Sequence, residues 1–182
     1  YNSLVYELTA DGKALSEQQL EKILMENRKL GAQAENAVVE FEKNSVKKMG
    51  KELQGELVKR ISTTDNAAGY DIISFDGATD EVFHNRFIEV KATQSDEIRF
   101  YWSSNEMKVA KKKKKSYWIY MMKEFNEVNP QSVIPVMIQN PDHSIINSDY
   151  LTMEGHTYLI KEAKVVDLKE FNIEDVKWYQ LD

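Results

Sequence analysis

Two carboxylates and a lysine lie in apolar stretches that have the composition of β-strands. The stretches, Tyr70–Phe75 and Phe87–Ala92, are rich in β-branched and aromatic residues, and a turn-forming DGATDE sequence lies between them. Asp71 is near the start of the first, and Glu89 and Lys91 share one face of the second because side chains alternate along a strand. A charge buried without a partner is costly, so these three residues need a partner or a ligand.

A divalent cation is one explanation for the acidic pair. Mg²⁺ between Asp71 and Glu89 would remove their mutual repulsion, since it prefers carboxylate oxygens, waters and phosphate. Lys91 would then lie near the water and the phosphate of a hydrolytic reaction, and Glu35 from a helix could add a third carboxylate. The alternative is a salt bridge in which Lys91 neutralises Asp71 or Glu89, and the spacing alone leaves both interpretations open.

The composition bounds the class of protein. A chain of 182 residues with 42% hydrophobic and 30% charged residues is typical of one globular domain with a small appendage. The absence of cysteine excludes disulfides, zinc–cysteine sites and cysteine nucleophiles, and the three histidines show no ligand spacing. No apolar run approaches the ~20 residues of a membrane span and no signal peptide is visible, so we expect no membrane partner and a cytoplasmic location.

The net charge of −6 argues against a nucleic-acid coat protein. It leaves room for a nuclease, which needs a carboxylate cluster and only a local basic surface. The sequence begins at Tyr1 rather than at Met, so a fragment of a longer protein with a missing partner domain is left open.

Sequence signals place two helices before these strands. Ser16 and Gln19 form a capping box that predicts a helix start, and we expect Gly31 to interrupt this helix. A second helix is predicted from about Gln33 to Met49, with Gly50 as its stop. Residues 51–65 are polar and basic, with three apolar anchors: Leu57, Val58 and Ile61.

Further strands and one helix are predicted after residue 92. Apolar alternation predicts a third strand at Ile98–Trp102, and Ser103 with Glu106 forms a capping box that opens a short helix. Two more strands are predicted, Tyr117–Met122 and Val133–Gln139. Shorter strand-like pieces lie near the ends of the chain, at Leu4–Leu8, Tyr158–Ile160 and Lys164–Leu168.

A basic stretch lies at the end of the predicted helix: Lys108 and then Lys111–Lys115. These lysines could bind DNA phosphates, and the nearby aromatic residues Tyr101, Trp102 and Trp118 could stack on bases. The alternative is a solvated helix end whose lysines complement the helix dipole, with the aromatic residues in the core.

A family resemblance favours the catalytic interpretation. Gly69–Ile72 followed by Ile88–Lys91 resembles the signature of the PD-(D/E)XK nucleases, with Tyr70 at the position of its proline. The resemblance extends over about residues 30–141 to the NO VEIN C-terminal-like domain. Further matching residues carry it: Gly31, Ala34, Glu35, Val38, Phe41, Glu42, Arg60, Ile61, Ser62, Ser104, Asn105, Glu106 and Ala110.

The resemblance implies an α/β fold of the restriction endonuclease-like type, with a central mixed β-sheet flanked by helices in αβββαβ order. It divides the chain into an N-terminal extension (1–30), a nuclease-like core (31–141) and a C-terminal extension packed on that core (142–182). It makes Asp71, Glu89 and Val90 the metal contacts and Lys91 the catalytic lysine, with Glu35 as an accessory acid. The expected DNA-binding residues are Arg60, Ser62, Ser104, Asn105, Lys108, Lys111, Lys112 and Lys113.

The function implied is a metal-dependent endonuclease that hydrolyses phosphodiester bonds of DNA, in restriction or antiviral defence. Mg²⁺ is the expected cofactor, with Mn²⁺ as a substitute, and a homodimer is left open as a further partner. The alternative is a non-catalytic DNA-binding or protein-interaction module of a larger defence or helicase-like protein.

Overall fold

A computed structural model of the chain describes residues 16–76, 82–126, 134–145, 147–148 and 151. Within these ranges the helices are α1 (Glu17–Lys48), α2 (Glu52–Glu56), α3 (Ser104–Lys113) and α4 (Pro141–Ser144). The strands are β1 (Lys59–Arg60), β2 (Ile72–Ser74), β3 (Arg86–Ala92), β4 (Tyr117–Met122) and β5 (Val136–Gln139), and one 3₁₀ turn, Lys114–Ser116, precedes β4. The predicted mixed α/β class is confirmed.

The described strands form one mixed sheet in the order β1-β2-β3-β4-β5. Neighbours run antiparallel except for β3 and β4, which are parallel and pair Phe87 with Tyr117 through Ala92 with Met122. A parallel pair needs a crossover connection, and residues 93–116 with α3 provide it. The sheet therefore has α1 on one face and the crossover on the other.

Two apolar clusters fill these two faces. One includes Ala34 and Val38 of α1 with Ile72 and Ile88 of the sheet, all fully buried. The other joins Ala110 of α3 to Tyr117 and Ile119 of β4. The predicted alternation of β3 is confirmed, because Ile88, Val90 and Ala92 pack in the α1 cluster while Phe87 packs in the opposite one.

The predicted interruption at Gly31 is wrong, because α1 runs without a break through it for 32 residues. One glycine in a helix costs only about 1 kcal/mol in stability relative to alanine, and the helical residues on both sides of Gly31 offset this cost. The capping box of Ser16 and Gln19 is confirmed at the start of α1, and Gly50 follows its end at φ +76°. The boundary expected between residues 30 and 31 therefore lies inside a continuous helix.

The predicted strand at Ile98–Trp102 is also wrong, since these residues pair with no described strand. The alternation is real, because Phe100 and Trp102 pack against the α3 cluster while Arg99 and Tyr101 are exposed. The place beside β3 is taken by β4, so this segment forms part of the crossover instead. The additional strand is the short and polar β1, which sequence periodicity does not indicate, and Leu57 before it is 55% exposed rather than an anchor.

None of the described helices combines the length and the apolar composition needed to cross a membrane. The strand-like pieces expected at Leu4–Leu8, Tyr158–Ile160 and Lys164–Leu168 lie outside the described residues. Most of the expected C-terminal extension, 142–182, lies outside them as well.

Candidate active site

The pairing of β2 with β3 brings the predicted carboxylates together. Ile72 and Ile88 are the last described pair, and the Asp71 N–H donates to the same Ile88 carbonyl, so Asp71 does not continue the regular register. Asp71 and Glu89 nevertheless line one polar cleft, and the charge of Asp71 raises the pKa of Glu89, so the two acids lie close together. Glu89 and Lys91 alternate with Ile88 and Val90, which pack in the α1 cluster, so they lie on the other face of the sheet.

The backbone around Asp71 is held on both sides. Its N–H donates to the Ile88 carbonyl at 2.8 Å, and its carbonyl accepts from the N–H groups of Ile61 and Ser62 at 2.6 and 3.2 Å. The Val90 N–H donates to Asp71 Oδ2 at 2.8 Å. The carboxylate of Asp71 is thus oriented by β3, and the described contact of Val90 to the site is made through its N–H.

Lys91 lies between two carboxylates. Its Nζ donates to Glu89 Oε1 and to Glu106 Oε2, both at 2.7 Å. Glu106 belongs to the first turn of α3 and also accepts a 3.3 Å hydrogen bond from the Ser103 N–H, as the predicted capping box requires. These side chains are between 8 and 18% exposed, so the ion pairs are shielded from solvent.

Burial and mutual repulsion set the protonation of this group. The pKa of Asp71 is raised to about 6 and that of Glu89 to about 8, mainly by burial; the neighbouring acids contribute to the rise and Lys91 opposes it. Burial alone would lower the pKa of Lys91, but the charges of Glu89 and Glu106 raise it overall. Three carboxylates therefore compete for one ammonium, and a cation bound beside them would be favoured.

Glu35 of α1 lies near Asp71 and is held by two of the residues predicted to bind DNA. Its Oε2 accepts from Arg60 Nε at 2.6 Å and from the Ser62 hydroxyl. The Arg60 guanidinium also donates to Asn36 Oδ1 at 3.1 Å. The charge of Glu35 contributes to the raised pKa of Asp71, so the two acids interact electrostatically across the edge of the sheet.

A polar cleft of about 200 Å³ opens over the acids. Its lining residues come from the loop before β2, from the two strands and from the start of α3: Ser62, Asp65, Asn66, Gly69, Tyr70, Asp71, Glu89, Ser103, Asn105 and Glu106. Lys91 and Glu35 are absent from this lining and each lies behind a lining residue that it contacts, Glu89 and Glu106 for Lys91 and Ser62 for Glu35.

The loop before Asp71 is packed tightly on α3. Gly69 has φ +72°, and a Cβ there would come within 2.7 Å of Val109 Cγ2. The Tyr117 hydroxyl donates to the Gly69 carbonyl at 2.8 Å, and Asn105 Nδ2 donates to the Ala67 carbonyl at 3.1 Å. Gly69 is thus required both by its positive φ and by the lack of space for a Cβ.

The predicted DNA-binding lysines separate into two groups. Lys108, Lys111 and Lys112 are exposed on α3. Lys113 is half-buried with its Nζ 3.2 Å from the ring centroid of Phe87, and burial lowers its pKa. Lys108 and Lys112 follow Asn105 at helical spacings of three and seven residues, so they continue the rim of the cleft along α3.

Of the other residues expected to bind DNA, three contact groups within the protein and one is exposed to solvent. Arg60 and Ser62 contact Glu35, Asn105 contacts Ala67, and Ser104 is exposed at the first position of α3. Trp102 packs with the α3 cluster, and Trp118 packs with the α1 cluster beneath the Arg86 guanidinium, 4.8 Å from the ring centroid. Tyr101 is 40% exposed, which is more than Trp102 or Trp118.

No described residues form a group of three or more His, Cys, Asp or Glu side chains that could hold a metal ion, so a metal that needs a full set of protein ligands does not fit the described part of this site. Mg²⁺ is held in proteins by one or two carboxylates and keeps several waters. The described hydrogen bonds of Asp71 and Glu89 engage one oxygen of each carboxylate, and their excess negative charge fits a divalent cation.

Glu106 is the site residue that sequence reasoning assigned to another role. Its position three residues after Ser103 predicts a helix cap, and that cap is present. Its contact with Lys91, 15 residues earlier in the sequence, depends on how α3 docks on β3. The sequence does show a carboxylate in the first turn of the helix that follows the strand of Glu89 and Lys91. We interpreted that carboxylate as a helix cap alone.

Comparisons with known proteins gave one match. The family model described as "Protein NO VEIN, C-terminal" matches residues 34–135, which is more than half of the chain. Searches of curated proteins and of solved structures gave no match. The matched range contains Glu35, Asp71, Glu89, Lys91 and Glu106.

Proposed function

This chain belongs to the family of the NO VEIN C-terminal domain, and from that premise we propose that it is a Mg²⁺-dependent DNA endonuclease domain of the PD-(D/E)XK type. The proposal includes the restriction endonuclease-like fold, a role in restriction or antiviral defence, and action in the cytoplasm. The described order supports that fold, since α1, three strands, α3 and β4 follow one another with only the short α2 inserted before β1, and β5 and α4 come after β4.

One observation carries the proposal: Asp71 and Glu89 line one polar cleft, and Lys91 lies behind it in contact with Glu89. A structural salt bridge needs one acid for one lysine, whereas this group has Glu106 as well. The excess of acids is expected for a site that binds a divalent cation. Perturbed carboxylates in a cleft are typical of functional sites, although ion-pair networks perturb them too.

Each residue has a distinct role in hydrolysis of a phosphodiester. Asp71 and Glu89 would hold Mg²⁺, which supplies electrostatic stabilisation of the phosphate and of the attacking water when it is bound. Lys91 carries a positive charge beside Glu89, where it can stabilise negative charge that develops on the phosphate. Glu35, held by Arg60 and Ser62, would support the site from α1.

DNA is the proposed substrate because the exposed lysines of α3 extend from the cleft. Lys108, Lys111 and Lys112 offer point charges for phosphates without base readout. Lys113 contributes less to this surface, since its ammonium lies over Phe87.

A non-catalytic DNA-binding or protein-interaction module is the second candidate. Two observations favour it: the described residues hold no group of three metal-binding side chains, and the net charge of the chain is −6. In that case the ion pairs of Lys91 would be structural. A Mg²⁺ titration separates the candidates, because a ligand that binds only the native state raises its stability by mass action.

The decisive experiment is a plasmid-nicking assay with Mg²⁺ and with Mn²⁺, alongside thermal melting across the same metal titration. The nuclease proposal expects cleavage that requires metal, and a melting temperature that rises with metal. Lys91→Ala is the matched variant, since it removes the ammonium and leaves both proposed ligands. Metal-independent melting together with absent cleavage would favour the non-catalytic module.

A further inference from the structure

The Lys91 ammonium has two equivalent acidic partners that come from different elements. Glu89 lies on the same strand, and Glu106 lies on α3 across the crossover. Both distances are 2.7 Å. A single carboxylate would satisfy the charge of the lysine, so the second partner needs its own explanation.

The helix cap does not explain why residue 106 carries a charge. At the start of α1, Gln19 takes the same position three residues after Ser16, and its amide forms a complete capping box. Its Oε1 accepts from the Ser16 N–H at 2.9 Å, whereas Glu106 Oε2 accepts from the Ser103 N–H at 3.3 Å. A neutral glutamine therefore caps a helix in this same protein, whereas Glu106 Oε2 accepts from Lys91 in addition to the Ser103 N–H.

The charge count of the site indicates when that second partner is needed. Asp71, Glu89 and Glu106 carry three negative charges when ionised, and Lys91 carries one positive charge. A divalent cation would bring the group to neutrality. The cation would also draw the charge of Glu89 away from Lys91 and repel the ammonium, so that a partner outside the ligand set would be required.

Resting on the function proposed above, we propose that Glu106 is a positioning residue that holds Lys91 at the cleft while Glu89 binds the metal. Its capped position at the start of α3 fixes the carboxylate from outside β3. Its burial to 18% exposure shields the ion pair from solvent and salt. The helix whose outer surface carries Lys108 and Lys112 thus also fixes the lysine proposed for catalysis.

The test is the chemical labelling of lysines in the full chain, read by mass spectrometry. Reductive methylation of Lys91 is followed with and without saturating Mg²⁺, in wild type and in Glu106→Gln. The amide should preserve the cap, as Gln19 does. Lys91 should stay protected in wild type under both conditions and in Glu106→Gln without metal, where Glu89 remains its partner. It should become labelled in Glu106→Gln when Mg²⁺ is added.

A matched control removes one acidic charge elsewhere. Glu40 accepts a 2.9 Å hydrogen bond from Lys43 on the exposed side of α1. Glu40→Gln should increase labelling of Lys43 and leave Lys91 protected with Mg²⁺. Cleavage by Glu106→Gln should fall about 10- to 100-fold in kcat, as is common for residues that orient a ligand or catalytic group, with the half-saturating Mg²⁺ little changed.

The outcomes separate this proposal from the proposed function. Lys91 that remains equally protected in Glu106→Gln with Mg²⁺, in a protein that Mg²⁺ stabilises, would overturn the positioning role and leave the nuclease proposal intact. A wild type that Mg²⁺ neither stabilises nor activates would overturn both. Should Glu106→Gln fail to fold, Glu106→Asp keeps the charge with a shorter reach, and weaker protection of Lys91 with Mg²⁺ is then expected. Full protection in that variant would contradict the proposal.

Discussion

The two faces of the sheet each bury an acid beside a cation, with opposite results. On the α1 face, Glu42 is fully buried and both of its oxygens accept hydrogen bonds from Arg86, at 3.3 and 3.5 Å. The Tyr120 hydroxyl adds a bond to Glu42 Oε1 at 2.7 Å. One fully buried negative charge thus meets one positive charge, and the second acid beside Arg86, Asp76 at 3.7 Å, is 47% exposed.

On the cleft face, the acids outnumber the cation. Asp71, Glu89 and Glu106 lie around Lys91, and all three acids line an open cleft. The described bonds to Asp71 and Glu89 leave one oxygen of each for another ligand. The comparison teaches that a buried charged residue is a weak indicator of function by itself. Charge balance and access to a cleft distinguish the two sites.

The largest expected effect is on cleavage by the cleft acids. Asp71→Ala or Glu89→Ala should abolish metal-dependent nicking, because each removes a proposed metal ligand. Without metal, the free energy of unfolding should stay equal or rise, since one source of repulsion is gone. Nicking assays and urea melts of each variant measure both effects, and cleavage at the wild-type rate would refute the assignment of that residue.

The matching change on the α1 face should show the reverse pattern. Glu42→Ala leaves Arg86 buried with only Asp76, at 3.7 Å, as a described acidic contact. Removing one partner of a buried pair costs roughly 3–5 kcal/mol in the free energy of unfolding. Denaturant melts should record that loss, while the folded fraction should cut DNA at the wild-type rate.

The double variant Glu42→Leu with Arg86→Met is its control. Apolar residues of similar volume often replace a buried pair without loss of stability. Recovery of most of the stability would show that the single variant suffers from an unpaired arginine. A single variant as stable as wild type would mean that the pair of Glu42 and Arg86 does not stabilise the fold.

The exposed lysines of α3 should set the salt dependence of DNA binding. Neutralising Lys108 and Lys112 with glutamine should weaken binding about equally for all sequences, and each lost phosphate contact should lower the salt slope by about 0.9 on duplex DNA. Lys113→Gln should change the slope less, because its ammonium lies over Phe87. Anisotropy titrations at several salt concentrations measure this, and an unchanged slope for the double variant would return these lysines to a solvated helix surface.

The pH dependence of stability should also distinguish the faces. The pKa values of Asp71 and Glu89, raised by burial to about 6 and about 8, mean that the native state binds more protons than the unfolded chain. Stability without metal should therefore fall as pH rises through about 4 to 8. Mg²⁺ needs the ionised acids, so its stabilising effect should be larger at pH 8 than at pH 6.

Thermal melts with Mg²⁺ or with EDTA across this range are the measurement. The double variant Asp71→Asn with Glu89→Gln should reduce both the fall of stability with rising pH and the stabilisation by Mg²⁺. Tyr120→Phe on the α1 face should leave the stabilisation by Mg²⁺ unchanged. Equal stabilisation by Mg²⁺ at both pH values would contradict the link between these acids and the metal.

Local patterns in the sequence predicted the parts of this protein that depend on neighbouring residues. The alternation in β3, the capping boxes and the stop at Gly50 are all short-range, and they are present in the structure. The prediction that Asp71 and Glu89 lie close together rested on two neighbouring strands, and in the structure these strands pair and both acids line the cleft.

Features that depend on distant packing were wrong or missing. The alternation at Ile98–Trp102 is satisfied by the α3 cluster instead of by a strand neighbour, and only the placement of β4 decides between them. The contact of Glu106 with Lys91 and that of Glu35 with Arg60 join elements across the fold. No spacing rule connects residues 15 or 25 apart in different elements, so these partners could not be identified from the sequence.

The smallest expected effect concerns Glu35, whose charge is already compensated. Arg60 and Ser62 both donate to its Oε2, and its side chain is 15% exposed. This arrangement resembles the buried pair on the α1 face in its charge balance. It differs because Ser62 lines the cleft and its N–H donates to the Asp71 carbonyl. Glu35 thus reaches the site through its partners.

Glu35→Gln tests whether Glu35 acts like the acids of the cleft or like the structural acid Glu42. The amide keeps an acceptor for Ser62 and Arg60 but removes the charge that raises the pKa of Asp71. If Glu35 supports the metal, the variant should need several-fold more Mg²⁺ for half-maximal cleavage, in line with the roughly 10-fold lower limit for residues around a metal site. The melting temperature should change little. A metal titration that overlays that of wild type, at an equal cutting rate, would make Glu35 a structural partner of Arg60, as Glu42 is of Arg86.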